Sequence, residues 1–356
     1  MNDFALELPI NSVSFGQVSI CILRELYKRG VTPSIFPIGN IDLSPYQLEK
    51  PMIEWITNCL QTAQTKHNRD IPVIKLWHLN GAISSVSNKQ ILFTFHETSE
   101  VTPTETNIIN NQYKVLVSSK YTQSVLSNDK VVYCPLGFDT NSFKQTNQDY
   151  VKDSIVFGLY GKLEPNRKRH LKILSAWAKR FGNKREYMLH CALFNPFMNP
   201  SEQQNLISSA LNRQKYYNIN FIPFVQTNEL YNQVLNSANI VIGMGTESWG
   251  LPEFQSLCLG KHAVLLNCHG YKEYANNKNT VFVEPNGVII ANDGLFFKSG
   301  SQFNQGSFFD FDENDLISAC EIAINRFKNN PINSAGLELR KQFTYSETVD
   351  IILKNL

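Results

Sequence analysis

Short apolar runs alternate with amphipathic helical stretches along this whole chain, and that rhythm leaves few folds open to it. Strand patterns fall at 2–8, 33–37, 71–77, 91–96, 114–118 and 131–134, with helical periodicity near 17–29, 47–65 and 119–127. The second half repeats the rhythm, with strands at 154–160, 186–193, 219–224, 238–243, 262–267 and 280–283 and helices near 168–182, 202–214, 228–236, 252–259, 313–328 and 345–355. Such alternation predicts an α/β protein built on parallel, doubly wound sheets. A chain of 356 residues is too long for one ordinary core. The expectation is therefore two Rossmann-like domains. The N-terminal one takes 1–145 and the C-terminal one 146–335, with the polar stretch 140–153 between them. Residues 336–356 are expected to form a helical segment packing back on the N-terminal domain.

Charge excludes some partners. The formal net charge is +2, which gives no strong global field toward nucleic acid or an anionic membrane. The first 150 residues carry 12 basic and 13 acidic side chains, and the remainder 21 and 18. Any basic surface must be local. The seven cysteines are scattered, with no Cys-x-x-Cys pair, which reads as reduced, buried thiols rather than disulfides or a zinc site. No basic leader precedes a long apolar stretch, and no run reaches the roughly 18 apolar residues of a membrane span. A cytoplasmic protein is expected.

One segment carries most of the chemistry. The buried-strand pattern Ala238-Asn239-Ile240-Val241-Ile242-Gly243 leads through Thr246-Glu247-Ser248-Trp249-Gly250-Leu251 to Pro252. Pro252 suits the first turn of a helix, where a missing N–H costs nothing. Phe254, Leu257 and Cys258 give that helix an apolar face. A strand, a glycine-containing turn and a helix N-terminus together offer free N–H groups and partial positive charge to an anion. Glu247 adds a carboxylate able to grip hydroxyls. Phosphate donors beside such a carboxylate suit a sugar attached to a diphosphate.

This stretch resembles the donor-site signature of the family-4 glycosyltransferases, retaining enzymes of the GT-B fold, a resemblance that sets the two domains facing across a cleft. The family pattern places a second Glu eight residues after the first; here that position is Gln255, which keeps hydrogen-bonding capacity but no charge. The resemblance extends to Pro135-Leu136-Gly137-Phe138-Asp139. It extends also to Gly158–Arg169, where Lys162 stands for the family's Arg and Lys168 for its Lys, the latter good to within the Arg167–Lys168 doublet. Phe224-Val225 and Glu229-Leu230-Tyr231 are similar to the stretch beside the nucleotide base. In the N-terminal half it rests on Phe15-Gly16-Gln17, Trp77-His78 and Thr94-Phe95-His96.

The resemblance implies a hexosyltransferase that works with retention and without a metal. It implies a nucleotide-diphosphate sugar of the UDP-glucose or GDP-mannose type as donor substrate, no separate cofactor, and a hydroxyl acceptor. On it, Lys162, Lys168 and the N–H groups around Trp249, Gly250 and Leu251 meet the leaving diphosphate. Thr246, Ser248 and Gln255 complete the donor site, Glu247 orients the sugar, His78 faces the reacting centre, and Gly16 permits close approach of backbone to donor or acceptor. Bland readings stand beside these: Arg167–His170 is a basic run of the kind that usually forms a solvated face. His78 and His96 end apolar runs, where a structural histidine is common. Two alternatives stay open. One is a phage-type enzyme glycosylating hydroxymethylated DNA bases, which the global charge does not indicate. The other is a glycosyltransferase-like binding protein without turnover.

Overall fold

The computed structural model describes residues 4–146, 151 and 153–356. Two six-stranded parallel sheets form its framework. The first holds β1 (Ala5–Leu8), β2 (Ser34–Pro37), β3 (Val73–Leu76), β4 (Gln90–Thr94), β5 (Lys114–Val117) and β6 (Val131–Tyr133), in the spatial order β2-β1-β3-β4-β5-β6. Its helices are α1 (Ser14–Lys28), α2 (Lys50–Thr65), α3 (Pro103–Asn110) and α4 (Lys120–Leu126). The second holds β7 (Ile155–Gly161), β8 (Tyr187–Leu193), β9 (Ile219–Phe221), β10 (Ile240–Gly243), β11 (His262–Leu266) and β12 (Val281–Val283), in the order β12-β11-β10-β7-β8-β9. With it run α5 (His170–Phe181), α6 (Pro200–Ala210), α7 (Asn228–Asn236) and α8 (Leu251–Cys258).

Strands covered on both faces read as continuous apolar runs, and β10 is buried at every residue. Helix α5 shows how the layers lock. Ile173, Leu174, Trp177 and Phe181 recur at helical spacing and are all buried. The Phe181 ring stacks on Phe157 of β7 at 5.6 Å, with Trp177 edge-on to the same ring at 6.0 Å. Each such side chain contributes about 1.5–3 kcal/mol by leaving water. All seven cysteines are buried and free. No helix among the described residues is long and apolar enough to cross a membrane.

Two segments depart from the strand–helix alternation. The strands β13 (Gly287–Ile290) and β14 (Ser307–Asp310) pair antiparallel as a separate hairpin, where the periodicity gave no strand. After it come α9 (Glu313–Asn329), α10 (Ser334–Leu337), α11 (Leu339–Gln342) and α12 (Tyr345–Lys354). Helix α12 lies against the first lobe: Arg29 pairs with Asp350 at 2.6 Å, and Thr348 Oγ1 donates to the Pro135 carbonyl at 2.7 Å. Helix α3 was not among the expected helices either. The strand expected over 219–224 stops at Phe221. Part of the polar stretch 140–153 and the start of the strand at 2–8 lie outside the described residues.

Both sheets reverse strand order once, between β1 and β3 and between β10 and β7. Open α/β sheets bind ligands at the carboxyl ends of strands beside such reversals.

Candidate active site

The loops leaving β7 and β10 meet at the second reversal. The β7 loop enters α5 through Arg169, whose φ of 58° is left-handed. Such a conformation is costly for a non-glycine residue and persists only when its surroundings hold it. Here Asp310 of β14 does so, pairing with Arg169 at 2.6 Å and with Lys172 at 2.8 Å. The turn delivers Arg167 and Lys168 to the floor of the cleft. The Thr246 N–H donates to the Arg167 carbonyl at 3.0 Å, fastening the β10 loop to the β7 loop.

Three cations and three carboxylates interlock there. Glu247 Oε1 lies 2.5 Å from Lys168 Nζ and 3.0 Å from Arg167. Arg167 also pairs with Glu164 of its own loop and, at 3.2 Å, with Glu97 of the first lobe. Lys162 closes the chain on Glu164 at 2.6 Å. Burial alone would push the Glu247 carboxyl up, but the Arg167 and Lys168 charges more than reverse this and hold it below its ordinary range. Glu164, equally buried, is held down to about 2 by Arg167 and Lys162. Glu97 goes the other way: burial raises it, Arg167 offsets only part, and Glu247 and Glu164 add to the rise.

Above this cluster the β10 loop ends in Gly250, the N-cap of α8, at φ 81°. A Cβ there would sit 2.5 Å from the Tyr271 ring, so glycine is required by both conformation and space. Among the described residues, no backbone N–H from Glu247 through Leu251 finds a hydrogen-bond acceptor. They form an unsatisfied donor row at a helix N-terminus, which is an anion site by geometry.

Beneath the loop, Glu253 is buried with Oε2 unpartnered. Lys168, His170, Glu247, Glu253 and Tyr271 line a narrow gap with no room for a water molecule. Burial raises the Glu253 carboxyl to about 7 against the opposing pull of Lys168.

The first lobe brings His78 to the same cleft. It follows β3, its surface open to solvent, and its ring packs on Phe15 at 4.6 Å. Its recess in the cleft, then the charges of Lys162 and Arg167, lower its pKa to about 4, so the ring is neutral at ordinary pH. The lobes touch around the site. Ser248 Oγ donates to the His96 carbonyl at 2.6 Å, and Ser118 Oγ to the Ser248 carbonyl at 3.0 Å.

Solved structures with this architecture cover essentially the whole chain. Sucrose-phosphate synthase from Thermosynechococcus elongatus is 11% identical with a TM-score of 0.64, over 99% of this chain and 98% of its own. Anabaena HepE in complex with UDP-glucose is 13% identical with a TM-score of 0.67, over 99% and 100%. A glycosyltransferase from Rickettsia africae is 14% identical with a TM-score of 0.66, over 99% and 98%. The chain has the GT-B fold. Neither a protein-family model nor a curated protein sequence matches it.

Within this GT-B framework the expected site residues fall into two groups. Glu247, Lys162, Lys168 and the 246–251 backbone converge on one cluster, with His78 facing its cations. Trp249 contributes only backbone, because its ring packs on Phe254 at 5.2 Å and Tyr274 at 5.3 Å. Gln255 is buried within α8. Gly16 lies in the first turn of α1 rather than in the loop before it, and a Cβ there would sit 2.0 Å from the Asn11 carbonyl oxygen. The close approach that it permits is between two parts of its own chain. Phe224 and Val225 follow β9, two strands from β7, where Phe224 meets Phe194 at 5.3 Å. Sequence reasoning missed Glu97, Glu164 and the buried position of Glu253. Glu97 had a signal, being an acid just past the carboxyl end of an apolar strand.

Proposed function

We propose that this protein is a retaining glycosyltransferase that moves a hexose from a nucleotide-diphosphate sugar of the UDP-glucose or GDP-mannose type to a hydroxyl acceptor, without a metal ion. The observation that carries the reading is the convergence, at one strand-order reversal, of a free N–H row, Lys162, Lys168 and the carboxylate of Glu247. The N–H row and the lysines receive the diphosphate. As the glycosyl–phosphate bond breaks, negative charge grows on the leaving oxygen and positive charge on the sugar. Fixed donors aimed at that oxygen stabilise the transition state more than the ground state. Glu247 accepts hydrogen bonds from the sugar hydroxyls and sets the ring over the cations. Neutral His78 faces the reacting sugar from the other lobe. No side chain here is assigned as a nucleophile, in keeping with departure and attack on the same face of the sugar.

A binding protein without turnover is the second reading, and Gln255 is what favours it, since it offers the nucleotide ribose no charge. Release of nucleoside diphosphate from UDP-, GDP- and ADP-sugars, with EDTA present, separates the two. Release from one donor that collapses in Glu247→Ala is the expected result. Donor binding without release under any acceptor would leave the second reading standing, and no binding at all would remove both.

A further inference from the structure

The first lobe, which the glycosyltransferase reading makes the acceptor side, brings no cation of its own to this rim of the cleft. The loops after β1, β2, β3 and β4 span 9–13, 38–49, 77–89 and 95–102; they carry four carboxylates, Asp42, Glu49, Glu97 and Glu100, and one cation, Lys89, which sits at the amino end of β4 on the opposite edge of the sheet. All four leave the carboxyl edge of one parallel sheet, so they line the same rim. Among them sits a connected aromatic cluster. Phe15 meets Trp77 at 5.6 Å, His78 at 4.6 Å and Phe95 at 5.0 Å. Trp77 and Phe95 are half-buried, His78 is open, and Ile83 in the same loop as His78 is 74% exposed. The uncharged polar side chains of these loops are mostly Ser and Asn, short groups that donate and accept hydrogen bonds.

We infer that this rim binds an uncharged saccharide as acceptor, and that it excludes sugar phosphates and nucleic acid. The inference rests on the glycosyltransferase reading of the same cleft and deepens it. A pyranose has an apolar C–H face that suits an aromatic ring and a hydroxyl edge that suits amides and hydroxyls. A phosphorylated sugar brings two negative charges to a rim whose loops hold Asp42, Glu49 and Glu100 and no cation of their own at that edge, the fourth carboxylate, Glu97, being already paired with Arg167 of the other lobe. Like charges in a cleft disfavour binding through both the encounter and the bound state. A DNA acceptor needs phosphate contacts from Lys or Arg, and these four loops supply none at this rim.

The test uses the full chain saturated with whichever sugar nucleotide it binds, and reads saccharide binding by saturation-transfer NMR. Trehalose and maltotriose are compared with trehalose 6-phosphate and with a duplex carrying hydroxymethylated bases, each saccharide up to about 20 mM. The expected result is binding of a neutral saccharide, at least tenfold weaker binding of the phosphorylated one, and no binding of the duplex. Trp77→Ala should abolish the saccharide signal while leaving the donor Kd unchanged. Ser12→Lys, on an exposed loop position that places no demand on folding, should narrow the gap between trehalose and its phosphate. Tighter binding of the phosphate or the duplex, or no neutral saccharide bound to the donor-saturated protein, overturns the inference. Failure of the protein to bind any sugar nucleotide would instead strike the glycosyltransferase reading itself.

Discussion

Lys168 Nζ and Glu247 Oε1 stand 2.5 Å apart although 79 residues separate them in the chain. The pair fastens the β7 loop to the β10 loop, and it places the proposed phosphate-binding cation against the proposed sugar-binding carboxylate. With Arg167, the lysine holds the Glu247 carboxylate in its charged form before any ligand arrives.

Replacing Lys168 by Met should lower turnover of the donor about 10²–10³-fold, the usual effect of losing one fixed donor to a leaving group. Arg167 still pairs with Glu247, so the fold should survive, with a loss of about 1–3 kcal/mol rather than the full cost of an orphaned buried charge. Steady-state kinetics and urea unfolding on the same preparation check both. Unchanged kcat would remove Lys168 from the chemistry.

Glu253 gives the protein a pH-dependent stability. Its pKa rises on folding from 4.5 to about 7 because burial disfavours the carboxylate. A group raised in this way is fully stabilising below its unfolded pKa, and that contribution is lost as pH climbs from about 4.5 through 7. The loss amounts to about 3 kcal/mol at pH 8. Glu253→Gln should therefore be more stable than the parent at pH 8 and similar to it at pH 5, by chemical denaturation. Parallel pH profiles for the two proteins would show that Glu253 does not titrate in this range.

Donor binding should take up protons. In the ligand-free site, three carboxylates already balance Lys162, Arg167 and Lys168, and Glu97 is already raised. An arriving diphosphate adds negative charge beside Glu97 and raises it further. Calorimetry in buffers of different ionisation enthalpy, at pH above the ordinary carboxylate range, should show uptake that disappears in Glu97→Gln. Buffer-independent heats in the parent would contradict this.

His78 should titrate near 4 by NMR, with no step near the ordinary histidine value. Removing a neighbouring charge with Lys162→Met should move that titration upward, since Lys162 is one of the charges holding it down. It follows that His78 remains neutral between about pH 5 and 8 and contributes no limb to an activity profile there. A limb near 6.5 that vanishes in His78→Ala would assign it a titrating role.

The alternation of apolar runs made the two sheets legible because parallel strands covered by helices must be apolar throughout. The Thr246–Leu251 turn was legible because a strand, a glycine and Pro252 leave few local conformations. Helix α3 was legible but unread: Thr102 and Glu105 cap it reciprocally, with Pro103 in its first turn. The β13–β14 hairpin was harder, because its strands are only four residues each and an expectation of parallel strands discourages a local antiparallel pair. That Arg167 bridges Glu247 to Glu97 could not be read from sequence, as Arg167 is 80 positions from Glu247 and Glu97 lies in the other lobe. Which member of a basic doublet points inward depends on the left-handed turn at Arg169, and nothing in that residue type announces such a turn.

The loop between β13 and β14 reaches the other lobe. The Gln302 carbonyl accepts from Thr102 Oγ1 at 2.6 Å, the Asn304 N–H donates to Glu105 at 2.9 Å, and the Ser307 N–H to Ser99 at 2.9 Å. With Ser248 bonded to His96 as well, the lobes are latched on two sides of the Glu247 cluster. Parting them to admit a donor or discharge a product means breaking these bonds together. Opening, not bond cleavage, is then the step expected to set the pace, and the enzyme would run as a slow gate around a fast reaction.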